Sequence, residues 1–180
     1  QEQTFSSGEQ FTFSSTGFSS TAADFKWNNS NYDYTSWSFK KQAKFFDVVT
    51  WDGNNTAGRE IAHNLGTTVG SIIVKCTSNS ATAWTIYHRS LGSTKYLEFD
   101  TGAEGNAGTA YWNATEPTSS VFTLGNDGNV NATGRSYVAY LFAHDTAAES
   151  MIQCGSYTNS SSGIEVNLGF EPQWLLTKST

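Results

Sequence analysis

The chain has 180 residues, enough for one well-buried core and a small annex. Aromatic residues make up 14% and charged residues also only 14%, so Ser, Thr, Asn and Gly supply most of the polarity, as in extracellular and virion β-proteins. A net charge of −6 speaks against nucleic acid as a partner, because phosphates need clustered Lys and Arg, and no run approaches the roughly 18 apolar residues that span a bilayer.

Residues 1–33 differ from the rest. They set Phe5, Phe11, Phe13, Phe18 and Phe25 in a matrix of Ser, Thr and Gly. Gln10-Phe11-Thr12-Phe13-Ser14 alternates with period two, which predicts a half-buried strand. Two readings stay open: a strand and loop packed on the same domain, or an arm that docks on a neighbour. Lys40, Lys41 and Lys44 form the one basic cluster and read as a solvated strand flank.

From Tyr34 onward, strand signals come at short intervals between turn residues. Lys44–Trp51 is apolar and β-branched, and Asp52-Gly53-Asn54-Asn55 turns. Ser71–Thr77 is nearly continuous in apolar residues, as a buried sandwich strand is. Thr82–His88 places Trp84, Ile86 and His88 on one face and Thr85 and Tyr87 on the other. Lys95–Phe99, Ser120–Leu124 and Ser136–Ala143 are further strands, with a small-residue loop over 100–110. Met151–Tyr157, Gly163–Asn167 and Gln173–Lys178 are the last three. Only Ala143–Ser150 has helical character, and Pro117 and Pro172 sit where strands start or stop. The sum predicts an all-β, antiparallel β-sandwich or jelly-roll module. Its expected core is Ile72, Val74, Trp84, Ile86, Leu97, Phe122, Val138, Tyr140 and Phe142.

The chain also repeats itself. Ile61, Asn64, Leu65, Gly66, Lys75 and Thr77 recur 103 residues later as Ile164, Asn167, Leu168, Gly169, Lys178 and Thr180. The same offset carries Tyr34–Phe39 onto Tyr137–Phe142. The expectation is a Phe-rich arm (1–33), a main module (34–150) and the opening of a second module (151–180). A partial β-module needs cover from elsewhere. The candidate assembly residues are therefore Phe5, Phe11, Phe13 and Phe18 at one end, and Ile164, Val166, Leu168, Trp174 and Leu175 at the other.

Catalytic patterns are sparse. His63, His88 and His144 are the three histidines, and His63 corresponds to Val166 in the repeat, a position that packing alone can fill. Glu60 and Glu98 fall on strands, but spacing does not make them a glycosidase pair. No nucleophile-elbow, zincin or phosphate-loop pattern occurs. The expectation is a protein that is not an enzyme, with no cofactor. Asp127, Asn129 and Asn131 place oxygens at alternate positions, as a Ca²⁺ loop does, yet the same residues are ordinary turn vocabulary. Cys76 and Cys154 lie outside the repeated framework and read as free thiols. Sequons begin at Asn28, Asn54, Asn113, Asn131 and Asn159, and matter only in a glycosylating host.

Several strings occur in order: Phe45–Thr50, Ile72–Lys75, Trp84–Leu91, Tyr111–Asn113, Val121–Gly125, Val130–Ala132 and Tyr137–Ala143. Together they resemble a repeat domain of virion proteins from marine and freshwater phages. The resemblance implies long tail-fibre-like or capsid-decorating polypeptides, and it supplies no active site. Two functional expectations follow. The first is a structural subunit of an extracellular or virion fibre, assembling head-to-tail with copies of itself through its terminal segments. The second is a lectin-like adhesive module for host-surface glycans, with Trp27, Trp37, Trp51 and Trp112 able to stack on sugars unless they are core.

Overall fold

The computed structural model describes residues 11–20, 30–99, 101 and 104–180. The chain divides into two compact units, residues 1–39 and residues 40–180. In the first unit, β1 (Phe11–Phe13) and β2 (Phe18–Ser20) pair antiparallel as a hairpin, with Phe13 opposite Phe18. The Ser14 N–H donates to the Gly17 carbonyl at 2.8 Å, closing the turn. The strand expected over residues 10–14 is therefore present, paired to its own downstream neighbour. Tyr34–Phe39 belongs to this unit and forms no strand.

The second unit holds β3 (Phe46–Asp52), β4 (Arg59–Ala62), β5 (Val69–Cys76), β6 (Thr85–His88), β7 (Lys95–Glu98), β8 (Gly105–Asn106), β9 (Val121–Leu124) and β10 (Ser136–Ala143). Six of them form one sheet in the order β3-β10-β5-β6-β7-β8, and β4 pairs with β9 in a second. Every pairing is antiparallel. The fold is thus an all-β sandwich, as its alternating strands and polar turns predict. Among the described residues there is no helix. Asp145 is one reason residues 143–150 do not make one: its Oδ1 accepts the Ala147 N–H at 3.1 Å, a local turn bond that competes with helical pairing.

The core lies between the large sheet and the β4–β9 pair. Register puts Trp51, Tyr137 and Cys76 in one row across β3, β10 and β5, and Leu141, Ile72 and Tyr87 in another across β10, β5 and β6. Ile61, Phe122 and Leu124 face them from the small sheet, with Leu65, Val69, Trp112 and Val130 filling the ends. Trp51 stacks on Tyr137 with centroids 5.5 Å apart, and Phe122 meets Trp51 edge-on at 5.7 Å. Such pairs add about 0.5–1.5 kcal/mol each beyond their buried area.

The expected core needs one correction. Ile72, Val74, Ile86, Leu97 and Phe122 are buried, but on β10 the enclosed face is Tyr137, Ala139, Leu141 and Ala143. Val138, Tyr140 and Phe142 point to the outer face and are only part-buried. The inner space is shared with Trp51, Tyr87, Trp112 and Phe122, so small residues fit at Ala139 and Ala143. The outward-facing residues build a second apolar layer outside, where Trp84 stacks on Tyr140 and Phe46 packs on Phe142 at 5.1 Å.

The three strands expected over Met151–Tyr157, Gly163–Asn167 and Gln173–Lys178 are not formed. Residues 151–180 contain no strand. Ile61–Thr77 spans β4 and β5, whereas Ile164–Thr180, its counterpart in sequence, is irregular and mostly exposed. Pro172 stands in it where Val69 opens β5. The β3 edge offers it no template either. Phe45 and Gly53 bond toward the β10 side, so the even-numbered β3 residues face outward. Phe46 exchanges bonds with Gln42, the Val48 carbonyl accepts Lys41 Nζ, and the Asp52 carbonyl accepts Arg59 Nη1. The Gln42 backbone and two side chains thus occupy three of the four outward positions, which protects the edge from strand addition.

Candidate functional site

The two terminal segments carry the exposed large apolar residues. In the hairpin, Phe13 is 81% exposed, and Phe18 is exposed as well. Phe5 lies outside the described residues, as does the Phe11 side chain. In the tail, residues 151–180, Ile164, Val166, Trp174, Leu175 and Leu176 are exposed, with Leu175 reaching 73%. Leu168 alone of the expected set is part-buried. Ile164, Val166 and Leu168 keep the alternation of a strand without a strand partner. Burying a Leu, Val or Ile side chain is worth about 1.5–3 kcal/mol, so this segment leaves several such gains unrealised.

The tail is held at a few points. Lys178 Nζ donates to the Thr101 carbonyl, while the bond from Gln153 Nε2 to the Leu168 carbonyl at 2.7 Å lies within the tail itself. Ile152 packs against the core. At Cys154 the tail meets the sheet: its N–H donates to His144 Nδ1 at 3.2 Å, and Arg89 Nη1 donates to its carbonyl at 3.4 Å. Sequence reasoning did not find these anchors, because their partners come from distant segments.

The remaining candidate residues are placed as follows. Glu60 is on β4 and Glu98 on β7, in different sheets. His63 is buried, stacked on Phe122 with centroids 6.4 Å apart. Burial holds it neutral, below the ordinary imidazole range, against the opposing pull of the Thr118 and Val121 backbones and of Asp47. Its Nδ1 accepts the Leu65 N–H at 3.3 Å, and Nε2 makes no hydrogen bond. Asp47 is buried beside it and pins the next loop, accepting the Asn64 N–H at 2.8 Å and pairing with Lys41 at 3.1 Å. Burial pushes its carboxyl up, but the Asn64 N–H, Lys41 and the Val48 N–H together bring it below the usual range.

Asp127, Asn129 and Asn131 form a hydrogen-bonded clamp. Asp127 Oδ1 accepts the Asn129 N–H at 2.8 Å. Asn131 is fully buried, and its Nδ2 donates to the Gly125 carbonyl at 2.8 Å and the Thr56 carbonyl at 3.0 Å. Its Oδ1 accepts the Asn54 N–H at 3.1 Å. The amide nitrogen faces oxygens and the amide oxygen faces donors, so these side chains tie the loop to its neighbours instead of converging on a cation. The packing is close enough that a Cβ on Gly53 would lie 2.1 Å from the Ala132 carbonyl oxygen. Among the described residues, no three His, Cys, Asp or Glu side chains are grouped to hold a metal.

Burial also removes Asn131 as a glycan acceptor in the folded chain. Asn54 and Asn159 are exposed, Asn113 is part-buried with a left-handed backbone (φ 52°), and Asn28 lies outside the described residues. Of the tryptophans named for sugar stacking, Trp51 and Trp112 are core, Trp37 is exposed, and Trp27 is undescribed. Cys76 and Cys154 are both free.

Comparison with curated proteins finds no match, and comparison with solved structures finds none. The family model of DUF7483, a domain of unknown function, matches residues 1–180, and the chain belongs to that family.

Proposed function

We propose that this protein is a non-enzymatic structural subunit that assembles with copies of itself into a fibre, on an extracellular or virion surface. The observation that carries the reading is the tail: Ile164, Val166, Trp174, Leu175 and Leu176 are exposed on a segment with strand-like alternation and no strand. The exposed Phe13 and Phe18 on the N-terminal hairpin give a complementary apolar surface within the same chain. A tail docked on the next subunit's hairpin is a head-to-tail contact, and such contacts propagate unless they close a ring. Burying the four aliphatic side chains, Ile164, Val166, Leu175 and Leu176, is worth roughly 6–12 kcal/mol gross. That is comparable to the cost of association, about 4–15 kcal/mol, so each contact is weak and the assembly gains from repetition. The resemblance to phage virion proteins supports the setting.

The test uses surface substitutions in the full chain. Leu175→Asp and Phe13→Asp alter exposed positions, so folding survives them within about 0.5 kcal/mol. The reading expects wild-type protein to sediment as large particles and each variant as monomer. Large particles that persist in both variants would end it.

A further inference from the structure

The point where the tail meets the sheet is a built seat. It lies at the end of the β5–β10 pairing, where the register shifts between Phe142 and Ala143. Gly70 is side-chain-free there, and a Cβ on it would fall 2.6 Å from Cys154 Sγ and 2.7 Å from the Ala143 carbonyl oxygen. Cys154 occupies that space, with Sγ 3.5 Å from the Ala143 carbonyl. Burial pushes its thiol up to about 11, so it stays protonated and serves as a plug.

The bond from the Cys154 N–H to His144 Nδ1 sets a condition. Nδ1 accepts only while it carries no proton. The charged and titratable groups facing it are Arg89 after β6, His88 at the end of β6, and Asp145 beside it in the chain. Burial, then Arg89, holds His144 below the ordinary imidazole range, and the Cys154 backbone and then Asp145 pull the other way. His88 is lowered by burial, then by Arg89 and His144. At neutral pH both imidazoles are uncharged and the seat is closed. In acid, protonated His144 turns a donor toward the Cys154 donor, beside Arg89 and His88.

We propose that His144 is a protonation-sensitive latch that ties the tail to the sheet at neutral pH and loosens its attachment at Cys154 in acid. Resting on the assembly reading above, this makes acid the condition that loosens the already exposed tail for a neighbouring subunit. After release, the bond from Gln153 to Leu168 moves with residues 153–168, while Lys178 keeps its bond to the Thr101 carbonyl.

The experiment is hydrogen–deuterium exchange of the full chain between about pH 7.5 and pH 5, corrected for intrinsic exchange, with sedimentation at both ends. Peptides covering 151–156 are expected to lose about ten-fold in protection in acid, the worth of one such bond, while peptides covering β5 and β10 keep theirs. His144→Asn keeps an acceptor near the Nδ1 position but gains no proton, so its protection should not change with pH. His88→Asn removes a like charge and should move the release to higher pH. Wild-type protection independent of pH, or equal pH dependence in His144→Asn, overturns the latch. Release without particle growth supports the latch and refutes assembly through the tail. Equal growth at both pH values refutes acid control and leaves assembly standing.

Discussion

Asn131→Asp preserves the shape of a fully buried side chain and reverses one end of its hydrogen bonding. In the native chain Nδ2 donates to the Gly125 and Thr56 carbonyls at 2.8 and 3.0 Å. A carboxylate donates nothing, so both carbonyls lose a partner and face negative charge. Each unsatisfied buried acceptor costs about 1–3 kcal/mol. Arg59 Nη1, 3.4 Å from Oδ1, offsets part of the buried charge. The net loss comes to about 3–5 kcal/mol. A chain of this size loses about 2–4 °C in Tm per kcal/mol, so Tm should fall by roughly 10–15 °C. The introduced carboxyl group is neutralised more easily in the folded state, which raises its pKa there. Its deficit is therefore full above that raised pKa and shrinks as the pH falls. Thermal unfolding followed by near-UV circular dichroism reads this directly, because Trp51 Nε1 donates to the adjacent Val130 carbonyl at 3.0 Å. A Tm drop under about 3 °C, or a deficit that grows in acid, would refute the clamp. So would millimolar Ca²⁺ restoring the variant to wild-type Tm, since that is the behaviour of a cation loop.

Tyr87→Phe removes a 2.6 Å hydrogen bond from a buried hydroxyl to Glu116 and should cost about 1–2 kcal/mol, read from urea unfolding near neutral pH. Burial pushes the Glu116 carboxyl up, but the Tyr87 hydroxyl and Ser93 bring it below the usual range. Its contribution is present above the ordinary carboxylate pKa and lost as the pH falls through the depressed one, so the variant's acid limb should be shallower than wild type's. His63, His88 and His144 are all held below the ordinary imidazole pKa of 6.5, chiefly by burial. The unfolded chain then binds more protons below that value, and stability should decline as the pH drops from about 6.5. Chemical unfolding from pH 7 to 5 checks this, and a flat profile would contradict it. Leu175→Asp should leave Tm within about 2 °C of wild type while abolishing particle growth.

Much of the fold was legible. β5, β9 and β10 stand within two residues of the runs that predict them, because apolar β-branched strands between polar turns have few alternatives. The face of β10 was not legible. Period two identifies two faces but does not say which is enclosed, and both faces of β10 carry large apolar residues, Tyr137 and Leu141 inside and Val138, Tyr140 and Phe142 outside. The tail misled for a different reason. Ile164, Val166 and Leu168 alternate as a strand would, but pairing depends on an available edge, and β3 is capped by Gln42, Lys41 and Arg59. Asn131 read as turn vocabulary because its role depends on Thr56 and Asn54, more than seventy residues away. The seat at Cys154 joins Gly70, Arg89, Ala143 and His144, which no local pattern connects.

Negative-stain electron microscopy of the purified full chain, at about pH 5, well above roughly 10 μM, tests self-assembly most directly. The account predicts regular filaments of uniform width that disappear in Leu175→Asp. Dispersed single particles in wild type under those conditions, or filaments unchanged in the variant, would contradict it.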